Sequence, residues 1–243
     1  STQAKTLFPY TTLFRSIVAQ NNVTLSFSGG AATVNVTPRP LTAAIVNAKT
    51  KAYDGSTTAS LVSTDYQLSN LVGAQTFTVN KTSGSYDTKD VGTGKTVTAA
   101  LAGTDFAAGA GTLATNYTLP TSATGTGSIT TKTLTATIAN TPSKTYDGST
   151  AATLSPSNFN LVGLAAGESF TVGQTSGSYN SPDVATASTV TASLLPSDFT
   201  GAGGAVASNY VLPNTAAGAA TITPKPLSAS VVGPVSKVYD GTL

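Results

Sequence analysis

The chain has 243 residues, 9% of them charged and 40% hydrophobic, with 12 basic against 10 acidic side chains and a formal net charge of +2. That balance excludes a disordered segment, which needs high charge and few apolar groups. The Lys and Arg are scattered, and nucleic-acid binding needs them gathered in one patch. Cys, His, Met and Trp are absent, which excludes disulfides, the usual zinc sites and the Ser-His-Asp or Cys-His nucleophile systems.

In chain order, residues 6–16 read TLFPYTTLFRS. This string resembles a common short-read sequencing adapter translated in one frame, so residues 1–16 are set aside as an artefact of assembly. The alternative is a genuine amphipathic strand with Leu7, Phe8, Leu13 and Phe14 in a core. Residues 17–38 read as the C-terminal tail of a preceding repeat. There NVTL at 22–25 answers NYTL at 116–119, with one extra residue before VTPRPL at 36–41.

KAYDGST then opens at Lys51, KTYDGST at Lys144 and KVYDGT at Lys237, two intervals of 93 residues. The same interval carries Tyr86 to Tyr179 in SGSY, Tyr117 to Tyr210 in NYxLP, and Ile129 to Ile222. Overlaid without a gap, residues 51–143 and 144–236 agree at 42 of 93 positions, more than shared composition produces. A period of 93 is too long for a solenoid repeat and long enough to bury a small core of its own. The division expected is one repeat at 39–131, a second at 132–224 and the start of a third at 225–243. The chain has no initiator Met and breaks off inside a repeat, so it is read as a piece of a longer protein. Proline in TPRP at 37–40 and TPKP at 223–226 stiffens the joints.

Within a module the signal is alternation. Leu134, Ala136 and Ile138 alternate with Thr133, Thr135 and Thr137, and Val190, Ala192 and Leu194 alternate with Thr189, Thr191 and Ser193. Phe170 and Val172 do the same, and Ile222 lies in a similar run. Each predicts a short strand with one buried and one wet face. Six or seven such strands per module predict an all-β chain of tandem small β-sandwich-like modules. The alternative is a β-grasp-like module with one helical turn across residues 65–72. VGTGKT at 91–96 lacks the first glycine of a phosphate-binding loop, since that position is Lys89, and is read as a hairpin turn. The longest apolar runs are far too short to span a bilayer, and no membrane insertion is expected.

Candidate chemistry concentrates on the recurring motif: Lys51, Tyr53, Asp54 and Gly55; Lys144, Tyr146, Asp147 and Gly148; and Tyr239, Asp240 and Gly241, which follow Lys237. Gly tolerates positive φ and Asp bonds its own backbone, so the motif predicts a turn with a structural role. The tyrosines read as core aromatics in preference to ligand-stacking rings. A Lys–Asn crosslink from the recurring lysine lacks an evident acidic helper. Among the acids, Asp90 recurs as Asp183 and Asp105 as Asp198, whereas Asp65 becomes Asn158, Asp87 becomes Asn180, and Glu168 answers Gln75. Acid/base catalysis needs its charge kept in every working module. Structural turns are therefore preferred over a calcium site, which needs several converging oxygens, and over catalysis. No enzyme activity, metal or cofactor is expected.

The K-x-YDG-[ST] opening, SGSY, NYxLP and the closing G-x-[AG]-[ST]-IT-x-K-x-L resemble YDG-type modules and the related MBG modules of large bacterial surface proteins. The resemblance covers everything after residue 16 or so. It implies tandem modules of filamentous-haemagglutinin-like or autotransporter-like adhesins, exported to the cell surface or secreted, a location that the absence of Cys also suits. The implied role is a stalk or spacer between neighbouring repeats, the alternative being a module that binds a host glycan or surface protein. The family carries no catalytic residues onto this chain.

Overall fold

The computed structural model describes residues 22–27 and 30–242, so the adapter-like residues 6–16 lie outside the described part. Packing divides the chain into two compact units. The first is Ser1–Lys51 with Thr57–Ile129; the second is Ala52–Ser56 with Thr130–Leu243. The YDG segment of the first sequence repeat thus belongs, by its contacts, to the second unit.

The second unit is built on a six-stranded sheet. Its strands run in the order Ala151–Thr153, Ser176–Tyr179, Thr189–Ser193, Thr215–Ala219, Thr135–Ile138 and Phe159–Val162. Neighbours are antiparallel except Thr135–Ile138, which lies parallel to Thr215–Ala219. A two-stranded ribbon, Ser169–Val172 with Phe199–Ala202, forms the smaller second layer. Val172 and Phe199 of the ribbon share one core with Ile138, Leu154, Val190 and Ile222 of the rest of the unit. Thr outside and Val, Ile or Ala inside satisfy both faces of each strand, because the branched residues favour extended backbone. Each Val or Ile so buried contributes on the order of 1.5–3 kcal/mol; Val190 is completely covered.

The first unit repeats this plan. Its order is Thr58–Ser60, Ser83–Tyr86, Gly92–Ala100, Ser122–Thr130, Thr42–Ile45 and Tyr66–Ser69, with a Phe77–Val79 and Phe106–Ala108 ribbon. The parallel contact fixes one glycine in each copy. A Cβ on Gly125 would strike the carbonyl oxygen of Ile45, and one on Gly218 would strike that of Ile138. Within this unit, Asn22–Phe27 and Gly30–Asn35 form a separate antiparallel pair. Residues 225–242 form no strand, and Leu227, Val232 and Tyr239 there are each more than nine-tenths exposed.

The expectation of an all-β fold in tandem modules holds. Two local expectations are corrected. Residues 65–72 do not make a helical turn: a 3-10 turn at Ser63–Asp65 comes first, and Tyr66–Ser69 then extends as a strand against Thr42–Ile45. Tyr66 already has φ −99° and ψ 134°, and alternating half-burial along YQLS suits a pleated strand better than a helix. Residues 91–96 are not a hairpin turn in the first copy. They enter the strand Gly92–Ala100 through a bulge between Gly92 and Lys95, where Gly94 takes φ +66°. A positive-φ glycine serves a bulge as readily as a turn. In the second copy, residues 184–186 do form a turn.

Candidate functional site

The YDG turn has the same geometry in all three copies. Gly55, Gly148 and Gly241 take φ of +79°, +78° and +80°, a region that costs other residues strain. Asp54 Oδ1 accepts the Ser56 N–H at 2.9 Å and its hydroxyl at 3.0 Å. Asp147 does the same with Ser149, and Asp240 with Thr242. The preceding lysine closes the turn in the later copies: Lys144 Nζ lies 2.7 Å from Asp147, and Lys237 Nζ lies 3.0 Å from Asp240. The Lys144 ammonium, then the Ser149 N–H and hydroxyl, draw the Asp147 carboxyl down to about 2. Lys144 also donates to the Ser149 carbonyl and hydroxyl and stands 5.5 Å from the Tyr179 ring centre. Lys51 stands over Tyr86 in the same way, at 5.6 Å. The amine of Lys144 is thus held by Asp and Ser oxygens, with no asparagine among these partners.

The three tyrosines share a motif but not an environment. Tyr53 is 1% exposed, Tyr146 39% and Tyr239 93%. Tyr53 sits in the second unit. Its N–H donates to the Thr130 carbonyl at 2.8 Å and its hydroxyl donates to Glu168 Oε1. Its ring meets Tyr210 edge-on at 5.3 Å, the geometry that ring quadrupoles favour. Tyr210 donates to the other Glu168 oxygen at 2.7 Å and accepts the Ala165 N–H at 3.0 Å. Burial first, and then the Glu168 carboxylate, push the Tyr210 phenol up to about 12. Sequence reasoning singled out Tyr53 but missed Thr130, Glu168 and Tyr210 as its partners. One signal was available: Gln75 and Glu168 share a repeat position, and both bring an acceptor oxygen on a long side chain.

Asp65, Asp105 and Asp198, with Asn158, act as backbone acceptors. Four 3-10 turns end in Asp65, Asp105, Asn158 and Asp198, and each side chain accepts the N–H three residues earlier at 2.8 Å. The position asks for an oxygen, not a charge, which is why Asp65 and Asn158 exchange. Asp65, the charged member of that exchange, has a lysine. Lys49 Nζ lies 2.8 Å from Asp65, and the second copy has Pro142 there, opposite Asn158. Burial pushes the Asp65 carboxyl up, but the Lys49 ammonium, with the Val62 and Asn47 donors, outweighs it and holds it below the ordinary value. Likewise Lys95 approaches Asp87 at 3.8 Å, and the second copy replaces the pair by Ser188 and Asn180, whose Oδ1 accepts the Ser188 N–H at 2.9 Å. Among the described residues, no group of three or more acids converges as a cation would require.

A tandem, all-β repeat protein whose recurring polar residues shape turns and join segments is the class that fold and site define. The chain belongs to the YDG domain family, whose pattern matches residues 37–125 and 130–218, more than half of its length. Comparison with curated proteins and with solved structures returned no match.

Proposed function

We propose that this chain is a non-enzymatic repeat segment of a secreted or cell-surface bacterial adhesin, in which the modules act as a stalk or spacer. The observation that carries this reading is the use of the recurring acids. Asp54, Asp147 and Asp240 build Asx turns, and Asp105 and Asp198 cap 3-10 turns, as the non-recurring Asp65 also does. An asparagine serves equally well at the Asp65 position in the sister copy. Residues that must hold a shape, and not a charge, suit architecture over catalysis. Residues 6–16 are read as adapter-encoded and take no part; long reads across the locus that contained them would reverse that reading.

The test is immunolabelling of intact source cells with an antibody against the repeats. Labelling without permeabilisation is expected, and labelling only after permeabilisation refutes the surface role. A second reading, in which the module binds a host glycan or surface protein, draws on Tyr146, 39% exposed at the tip of its turn. A glycan array separates the two: reproducible binding that Tyr146→Ala abolishes favours the binder.

A further inference from the structure

The first unit contains a cavity of about 150 Å³, lined among others by Val36, Thr37, Val72, Gln75 and Tyr117. We propose that this cavity is the seat of a YDG turn from another copy of the same module. The inference goes beyond the adhesin reading and does not depend on it.

Thr37, Val72, Gln75 and Tyr117 stand 93 residues before Thr130, Ala165, Glu168 and Tyr210. Those four residues hold Ala52–Ser56 in the second unit. Thr130 accepts the Tyr53 N–H, Glu168 accepts its hydroxyl, and Tyr210 meets its ring. A Cβ built on Gly55 would lie 3.2 Å from the Ala165 Cβ. The inner wall of the first unit's cavity is preformed in the same way. Tyr117 donates to Gln75 and accepts the Val72 N–H at 3.1 Å, as Tyr210 does with Glu168 and Ala165. Phe77 stands edge-on to Tyr117 at 5.6 Å, and Phe170 to Tyr210 at 5.6 Å. A space of this volume takes one aromatic ring.

The chain itself carries a suitable occupant. The turn at Tyr146 matches the turn at Tyr53 in its glycine φ and its Asx bonds. The Tyr146 N–H already donates to Thr223 O at 2.8 Å, as Tyr53 does to Thr130, so what the turn has still to bury is the ring, and what the seat offers that ring is Val72, Gln75 and Tyr117. What differs is cover, 39% exposure against 1%. Each module therefore carries a ring to give and a seat to fill, and copies join head to tail through them.

The experiment uses the absence of native cysteine. One full chain carries Gly148→Cys and a second, of distinguishable mass, carries Val72→Cys. These positions correspond to Gly55 and Ala165, whose close approach suits a disulfide. The two are mixed under mild oxidation at on the order of a millimolar, the effective concentration that a short linker supplies in tandem. The control is one chain with both Gly55→Cys and Ala165→Cys, which closes an internal bond. The expected result is a disulfide-linked heterodimer in several-fold excess over either homodimer, lost when Tyr146→Ala is added to the first chain. A heterodimer no more abundant than the homodimers, or one indifferent to Tyr146→Ala, overturns the proposal.

Discussion

Replacing Tyr53 by Ala separates the sequence repeat from the folded unit. Tyr53 lies within the first repeat, yet it is 1% exposed among residues of the second unit. Truncating a buried aromatic costs about 3–5 kcal/mol, since the ring leaves a cavity that neighbours fill only in part. For a module of this size that lowers the melting temperature by more than ~10 °C. Tyr53→Phe keeps the ring and loses only the hydroxyl on Glu168, a bond to a charged acceptor, at about 2 kcal/mol. Tyr146→Ala, made at the same motif position in the next copy, costs less than about 1 kcal/mol because the side chain is 39% exposed. Amide hydrogen exchange resolves where the loss falls. Faster exchange is expected at Val190 and Thr191 of the second unit, with Val97 and Thr98 of the first little changed. Equal losses from Tyr53→Ala and Tyr146→Ala, or a loss confined to the first unit, would refute the reasoning.

Other outcomes follow from the same contacts. Asp65 has its folded pKa depressed, so its contribution is fully present above the unfolded value near ~3.9 and is lost as pH falls through the folded one. Acid titration of exchange in the first unit should show this loss, and Asp65→Asn with Lys49→Ala should flatten it. Tyr210 has its pKa raised to about 12. The stability it adds is complete below pH ~10 and disappears as pH rises through 12; absorbance of the phenolate should show a late-titrating component that Glu168→Gln brings earlier. Gly218→Ala should cost about 3 kcal/mol, because its methyl meets the Ile138 carbonyl across the parallel pair. Gly103→Ala, with open space and ordinary φ, should leave the denaturation midpoint unchanged.

The strands were legible wherever Thr alternated with Val, Ile or Ala, as in Thr189–Ser193 and Thr135–Ile138, because burial on one face writes a period of two into the chain. The pairing of those strands was not legible. Thr137 meets Ala217 in parallel, eighty residues away, and no local residue announces so distant a partner. Residues 65–72 misled because one capped 3-10 turn resembles the start of a helix until Tyr66 extends. The YDG turn was readable from Asp and Gly, whereas its destination was not. A sequence of fixed period can be cut at any point without changing the period, so repetition alone does not show where one folded unit ends.

The paired exchanges have a consequence for long arrays. Asp65 with Lys49, and Asp87 with Lys95, give way in the second copy to Asn158 with Pro142 and Asn180 with Ser188, one cation vanishing with each anion. Copies can therefore trade these two pairs for neutral ones without changing the sum of their charges. Exchange at these pairs alone alters the surface of a tandem array without adding to its net charge or to the field it casts on its neighbours.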